Sequence, residues 1–324
     1  MLTEENKRER KAGIGASEIA AVVGLSPWGS PLSIYERKVS PPAEEPEQTV
    51  DMERGTFLER GILEWTAHRR GIVVVPNRDL VRHPDHAFVI ATPDGYEIDG
   101  KPKGVGGRRV GVVEVKAPRK GIHWTHPDED PAGIPPVYFV QSQYQMLATG
   151  LPRAIVAALI YGEPWIYDVH ADADLQAALL DAAAQFWARV EARDPPAPTA
   201  PGDAAVFGRL VDQRRKNLVE PASVEEAAAL ARAFKAAQAA EKEAEAEAER
   251  LKGQLVALIG DAAGLDLGEQ GPRVTWKKSK DGESVAWEKI AREAGAADEL
   301  IAKHTTVRQG SRRFLVTLPK EERS

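Results

Sequence analysis

The chain of 324 residues contains no cysteine. That removes disulfide staples, zinc-thiolate centres and cysteine nucleophiles at once. Long apolar runs are missing too. Segments such as Ala154–Tyr161 fall far short of the roughly 20 residues a membrane-spanning helix needs. Met1–Lys11 is charged and has no apolar core, so no secretory leader is expected. A basic domain is also lacking. Net charge is −6, with 22 Lys/Arg against 28 Asp/Glu in residues 1–200 and 21 of each in the remainder. Any nucleic-acid contact must therefore be local and salt-sensitive. The best local stretch is Lys101, Lys103, Arg108, Arg109, Lys116, Arg119 and Lys120. The composition, 43% hydrophobic and 28% charged, is that of an ordinary globular protein. The expectation is a soluble, cytoplasmic protein of about two domains.

Hydrophobic periodicity and breaker residues give the organisation. Gly15-Ala16-Ser17-Glu18 opens a short helix, with Ser17 as expected N-cap and Gly24 as stop. A longer helix is expected over 51–70, closed by Gly71, with Leu58, Ile62 and Trp65 as its apolar stripe. Residues 72–75 and 88–98 read as strands, and Arg109–Ala117 as a β-branched strand ended by Pro118. A long loop, 119–136, precedes a helix over 137–149, with Val140, Tyr144 and Leu147 as its buried stripe. A hairpin around Gly162-Glu163-Pro164 and a helix over 172–193 follow. The Pro-rich stretch 194–203 is the expected domain boundary, giving a core over 1–200 and a mainly helical extension over 201–324. Within the extension, Ser223–Ile259 reads as one or two long helices. Its middle, EKEAEAEAER, shows no clean heptad. Two strands, 273–278 and 312–318, are expected to flank a helix over 284–294.

One constellation carries chemistry. On a strand, residues i and i+2 share a face, so Glu114 and Lys116 place a carboxylate and an ammonium side by side. Val110, Val112, Val113 and Val115 make that strand apolar on both faces, as a central buried strand would be. Charges on such a strand are costly unless paired or metal-bound. If the strand ending at Thr92-Pro93-Asp94-Gly95 pairs with it, Asp94 meets Glu114 across one site. Two carboxylates, a carbonyl and waters suit Mg²⁺, which would polarise a phosphodiester and acidify an attacking water. Read without that context, Glu-x-Lys is equally a cross-strand salt bridge. Two further polar residues break apolar patterns. Glu59 is either a stripe-edge ion-pair acid or part of the site. Gln143 either bonds a backbone group or points into the metal cavity. His123 and His126 read as loop histidines. Trp28 reads as a packing residue or as a stacking surface for a terminal base.

These motifs, in order, resemble a known family. Gly13-Ile14-Gly15-Ala16-Ser17-Glu18-Ile19-Ala20 is followed by Gly24-Leu25-Ser26-Pro27 and by Arg54-Gly55-Thr56-Phe57-Leu58-Glu59. Then come Thr92-Pro93-Asp94-Gly95, Glu114-Val115-Lys116-Ala117-Pro118, and Tyr138-Phe139-Val140-Gln141-Ser142-Gln143-Tyr144-Gln145-Met146 before Thr149-Gly150. Over roughly residues 10–165 the chain is similar to the YqaJ-like viral recombinases, relatives of the lambda-type alkaline exonucleases in the PD-(D/E)xK nuclease superfamily. The resemblance implies an α/β core with a mixed central sheet flanked by helices, and a DNA exonuclease using Mg²⁺ or Mn²⁺. It implies Asp94, Glu114 and the Val115 carbonyl as metal ligands, with Glu59 serving a second ion. It implies Lys116 and Gln143 at the attacking water, and Arg10 and Ser17 as holders of a 5′-phosphate. Double-stranded DNA ends, a single-strand annealing protein and a homo-oligomer, including a ring, are the implied partners. A structure-specific endonuclease and an inactive end-binding protein are the alternative readings.

Overall fold

The computed structural model describes residues 9–40, 49–100, 107–210, 221–266 and 274–276, with isolated residues beyond. The strand expected over 312–318 lies outside these residues, as do Lys101 and Lys103; of the helix expected over 284–294 only Trp287, Ala291, Arg292 and Ala294 are described, the first three as helix. The chain divides into two compact units, Met1–Arg215 and Lys216–Ser324.

In the first unit a two-residue strand β1 (Ile14–Gly15) runs into helix α1 (Ala16–Val22), followed by α2 (Pro31–Val39) and α3 (Val50–Arg70). Strands β2 (Val73–Pro76), β3 (Val81–Arg82), β4 (Val89–Ala91), β5 (Gly95–Asp99) and β6 (Arg108–Lys116) come next, then α4 (Pro136–Thr149). The hairpin β7 (Arg153–Ile160) and β8 (Glu163–His170) leads to α5 (Ala173–Ala192) and α6 (Asp203–Leu210). The main sheet has the order β2-β5-β6-β7-β8. It is mixed: β6 pairs antiparallel with β5 and parallel with β7. β6 is the middle strand, and Val112 and Val113 are fully buried, as its two-faced apolar sequence requires. Leu63 of α3 packs with Val113 on one face; Met146 of α4 packs with Val112 and Val156 on the other. The result is the expected mixed sheet held between helices.

Several boundaries moved for physical reasons. The expected strand 88–98 is broken. Proline at 93 has no N–H to give a ladder, so β4 joins a small sheet of order β1-β4-β3 while β5 joins the large one. Asp94 lies at the crossing between the two sheets. The N-cap of α1 is Gly15, whose N–H donates to Glu18 Oε2 at 2.8 Å; Ser17 sits inside the first turn. In α3 the buried positions are Ile62, Leu63 and Thr66, and Trp65 is exposed. The hairpin turns on Tyr161-Gly162, both at positive φ (51° and 88°), the backbone shape that matches strand twist in a two-residue loop. The Pro-rich stretch does not end the first unit. Asp203 of α6 accepts from Ser30 Oγ at 2.5 Å and from the N–H groups of Thr199 and Ala200, and Arg209 forks onto Glu36.

In the second unit, α7 (Val224–Ile259) is one unbroken helix, capped by Ser223 accepting from Glu226 N. β9 (Gly264–Leu265) and β10 (Val274–Thr275) pair beyond it. A continuous helix reveals what the local sequence hid. Residues 230, 234, 237, 241, 244, 248, 251, 255 and 258 recur at alternating intervals of four and three, a seam of Leu and Phe at the ends with Ala237, Glu241, Ala244 and Ala248 in the middle. Leu230, Leu251, Leu255 and Leu258 on it are exposed. No helix among the described residues is long and apolar enough to cross a membrane.

Candidate nuclease site

The register of the main sheet builds the site. β5 begins at Gly95, paired with Val113, so the last residues of β6 extend beyond it. Val115 N–H there donates to Asp94 Oδ2 at 2.7 Å, and the Val115 carbonyl shares that unpaired edge, because both groups of one strand residue face the same neighbour. Asn77 is buried and fastens the turn that carries Asp94. Its Nδ2 donates to the Pro93 carbonyl at 2.9 Å, and its N–H donates to the Asp94 carbonyl at 2.9 Å. Glu114, alternating with Val113 and Val115, faces α4.

Glu114 is 3% exposed and both its oxygens are gripped. Oε1 accepts from Gln141 Nε2 at 2.6 Å and from Lys116 Nζ at 2.5 Å; Oε2 accepts from Gln145 Nε2 at 2.5 Å. Lys116 Nζ also lies 4.9 Å above the Tyr138 ring, a cation–π contact. A cavity of about 200 Å³ is lined by Asp94, Glu114, Lys116, Gln141 and Gln145, and by Arg10 and Ser17. Arg10 is set in place by Lys38, whose buried Nζ donates to the Arg10 carbonyl at 2.8 Å and pairs with Glu18 at 2.6 Å.

The electrostatics are those of a site short of positive charge. Burial pushes the Asp94 carboxyl well above the usual carboxylate range, and the nearby Glu114 charge adds to this; Lys116 and the Val115 N–H offset only part. Burial alone would lower the Lys116 amine, but Glu114 and Asp94 outweigh it and hold its pKa above the usual value. Glu59 is raised by burial and by Glu114, against the pull of Arg78.

The expected residues are sorted by this geometry. Asp94, Glu114, the Val115 edge and Lys116 come together, with Arg10 and Ser17 on the same cavity. Glu59 feels the Glu114 charge but is not a lining residue. Gln143 turns away from Glu114. Its Nε2 donates to the His170 carbonyl at 2.8 Å, and its Oε1 accepts from Asp172 N at 3.0 Å and Gln176 Nε2 at 3.1 Å. The backbone-satisfying role is the one it fills. Gln141 and Gln145, four apart and so on one helix face, take the place expected for it. The α4 stripe misled because that helix is buried nearly all round, and a one-sided moment cannot rank its faces.

The donor set fits a hard divalent cation. Gln145 Oε1 is buried without a hydrogen-bond partner, and a pushed-up carboxylate beside it is stabilised by added positive charge. No group of three or more His, Asp or Glu converges among the described residues. Two carboxylates and a carbonyl, with water completing the shell, is the pattern of Mg²⁺ rather than of an all-protein cage. Two larger concavities do not compete. One of about 410 Å³ carries Arg70 paired with Asp168, and one of about 740 Å³ carries Arg153 paired with Glu97.

Comparison with known proteins agrees with the ordered motifs. The uncharacterised protein YqaJ of Bacillus subtilis (strain 168) is 25% identical over 190 residues, 58% of this chain and 56% of that protein. This chain therefore spans little more than half of that relative. The solved alkaline exonuclease LHK-Exo of Laribacter hongkongensis is 24% identical with a TM-score of 0.47, covering 59% of this chain and 94% of the other. A phage-related exonuclease of Haemophilus somnus 129PT is 15% identical with a TM-score of 0.38, covering 56% and 96%. The model of the YqaJ-like viral recombinase domain matches residues 6–152, the segment that carries every residue of the cavity, and over that segment the chain is similar to this family.

Proposed function

We propose that this protein is a metal-dependent DNA exonuclease that degrades one strand from the ends of duplex DNA. The observation that carries the reading is the convergence of Asp94, the Val115 edge, Glu114 and Lys116 on one cavity whose wall also holds Arg10 and Ser17. Asp94, Glu114 and the Val115 carbonyl would hold the ion, with Mg²⁺ as the expected species and Mn²⁺ as substitute. When bound, such an ion polarises the phosphodiester and makes water a better nucleophile.

The chain's own groups do the rest. Gln141 and Gln145 fix both oxygens of Glu114, so the carboxylate needs little reorganisation to act as a ligand. Asn77 fixes the backbone of Asp94. Lys116 keeps its proton and presents positive charge where the phosphate gains negative charge. Arg10 offers the charged fork suited to a terminal phosphate, and with Ser17 it supports attack from the 5′ end.

The family name, viral recombinase, supports a role in recombination with a single-strand annealing protein that takes up the exposed strand. The seam on α7 supports a homo-oligomer. The test is incubation of linear and closed-circular duplex DNA with the full chain, with and without Mg²⁺. Loss of only the linear form, abolished by EDTA, is the expected result. Nicking of circles would favour an endonuclease, and no cleavage would leave an end-binding protein.

A further inference from the structure

Trp28 is 70% exposed, yet it heads an ordered line of rings whose second member, Tyr138, borders the site. Its ring centroid is 6.1 Å from that of Tyr138, tilted by 34°. Tyr138 carries Lys116 Nζ 4.9 Å from its own centroid and stacks on Trp124 at 5.3 Å. Trp124 in turn meets the buried Tyr167 at 5.6 Å. Each inner ring has covered faces; Trp28 leaves one side to solvent. The loop holding it is braced. Leu25 and Ser26 donate to the Ala20 carbonyl at 2.7 and 3.1 Å, the Trp28 N–H donates to Ser26 Oγ at 3.2 Å, and Ser30 caps α2 directly after it.

We infer that Trp28 is a stacking platform for the terminal nucleobase of the strand whose phosphate enters the Lys116 cavity. This rests on the nuclease reading above. The Trp28 ring lies within the sum of two short spans, 6.1 and 4.9 Å, from the Lys116 amine. A strand rising about 3.4 Å per nucleotide covers that distance within about three nucleotides. A base inside a duplex shows only its edges, whereas an end base shows a π-face, and a flat indole recognises a π-face without regard to sequence. A degradative enzyme needs that tolerance, since every base becomes the terminal one in turn. The platform also supplies binding that the charge balance does not, for the chain has no basic excess.

The test uses the full chain and a 5′-phosphorylated duplex with 2-aminopurine as terminal base, first in EDTA and then with Mg²⁺. In EDTA the wild-type protein quenches the probe, Trp28→Ala does not, and Trp28→Phe restores most of the quenching. With Mg²⁺, Trp28→Ala raises KM about tenfold and leaves kcat within about threefold, the scale of one lost base–aromatic stack. On a duplex with an abasic terminal nucleotide, Trp28→Ala and wild type give the same KM. Unquenched probe with the wild type, unchanged KM in Trp28→Ala, or a deficit that persists on abasic ends would overturn the platform; unchanged KM would leave the ring as a contact for another protein. Quenching without any cleavage by the wild type would instead sink the nuclease reading.

Discussion

Gln145 Nε2 lies 2.5 Å from Glu114 Oε2, in a region where both side chains are almost wholly shielded from water. A buried carboxylate held this way has its orientation decided before any ligand arrives. Gln145→Ala and Gln141→Ala are expected to lower kcat about 10- to 100-fold, as loss of groups that orient a metal ligand does. Gln143→Ala removes bonds to the His170 carbonyl and the Asp172 N–H. It should lower Tm with kcat near wild type. Steady-state kinetics and thermal melts on the three variants check this; a kcat loss confined to Gln143→Ala would reverse the assignment.

Asp94 predicts a pH-dependent stability. Its folded pKa is raised, first by burial and then by Glu114. For a carboxyl with a raised folded pKa, the contribution is fully present below the unfolded pKa and is lost as pH climbs through the folded value. In the metal-free protein this contribution of Asp94 is therefore lost from the ordinary carboxylate range upward. Asp94→Asn should melt higher than wild type in EDTA at neutral pH. Mg²⁺ should raise the wild-type Tm most at neutral pH, progressively less on acidification, and not at all in Asp94→Asn. Melting curves with and without Mg²⁺ across pH 4 to 8 read all three.

Lys116 is held between Glu114 Oε1 and the Tyr138 ring, so its charge is fixed in place rather than recruited. Lys116→Ala should reduce cleavage by about 10²- to 10³-fold, the scale of one lost transition-state donor, while end binding persists. Cleavage at the wild-type rate would remove Lys116 from the mechanism.

Much of this was legible in the sequence, and what was missed has physical reasons. The Val-Gly-Val-Val-Glu-Val-Lys run announced a central strand because only two covered faces tolerate such a sequence. Pro93 should have announced the break between β4 and β5, since it cannot complete a ladder. Gln141, Gln143 and Gln145 alternate, so any helix phase puts some glutamine inward; only the sheet on one side and α5 on the other decide which one meets Glu114. Asn77 had no signal, because its role is set by contact with Pro93, distant in sequence.

Arg10 is presented through Lys38, a buried ammonium that bridges the Arg10 carbonyl and Glu18. Burial pushes the Lys38 amine below its usual value, with Glu18 opposing the shift. Removing the amine leaves the Arg10 carbonyl without this donor and Glu18 with only the longer contact to Arg37, at 3.7 Å, as an ion-pair partner. Lys38→Met should therefore lower Tm, and it should raise KM for 5′-phosphorylated ends several-fold more than for 5′-hydroxyl ends. Equal effects on the two ends would make Lys38 purely structural.

The seam on α7 argues for its own partner and orientation. Its apolar ends, Leu230 with Phe234 and Leu251 with Leu255, flank an Ala-rich middle, so a second copy of the helix is complementary whichever way it runs. A parallel pair would set Glu241 against Glu241 of the other copy, two like charges on the seam. An antiparallel pair sets Glu241 against Ala244, Phe234 against Leu251 and Leu230 against Leu255, and avoids the clash. Because the chain has no cysteine, single substitutions report orientation cleanly. Ala237→Cys together with Ala248→Cys should oxidise to a covalent dimer, whereas Ala237→Cys alone should not, its copies lying roughly 16 Å apart along the seam at 1.5 Å per residue. Leu251→Glu with Leu255→Glu should halve the mass seen by light scattering without changing unit turnover on short duplexes. Efficient crosslinking of Ala237→Cys alone would establish the parallel arrangement instead, and an unchanged mass in the Glu variant would remove the seam from assembly.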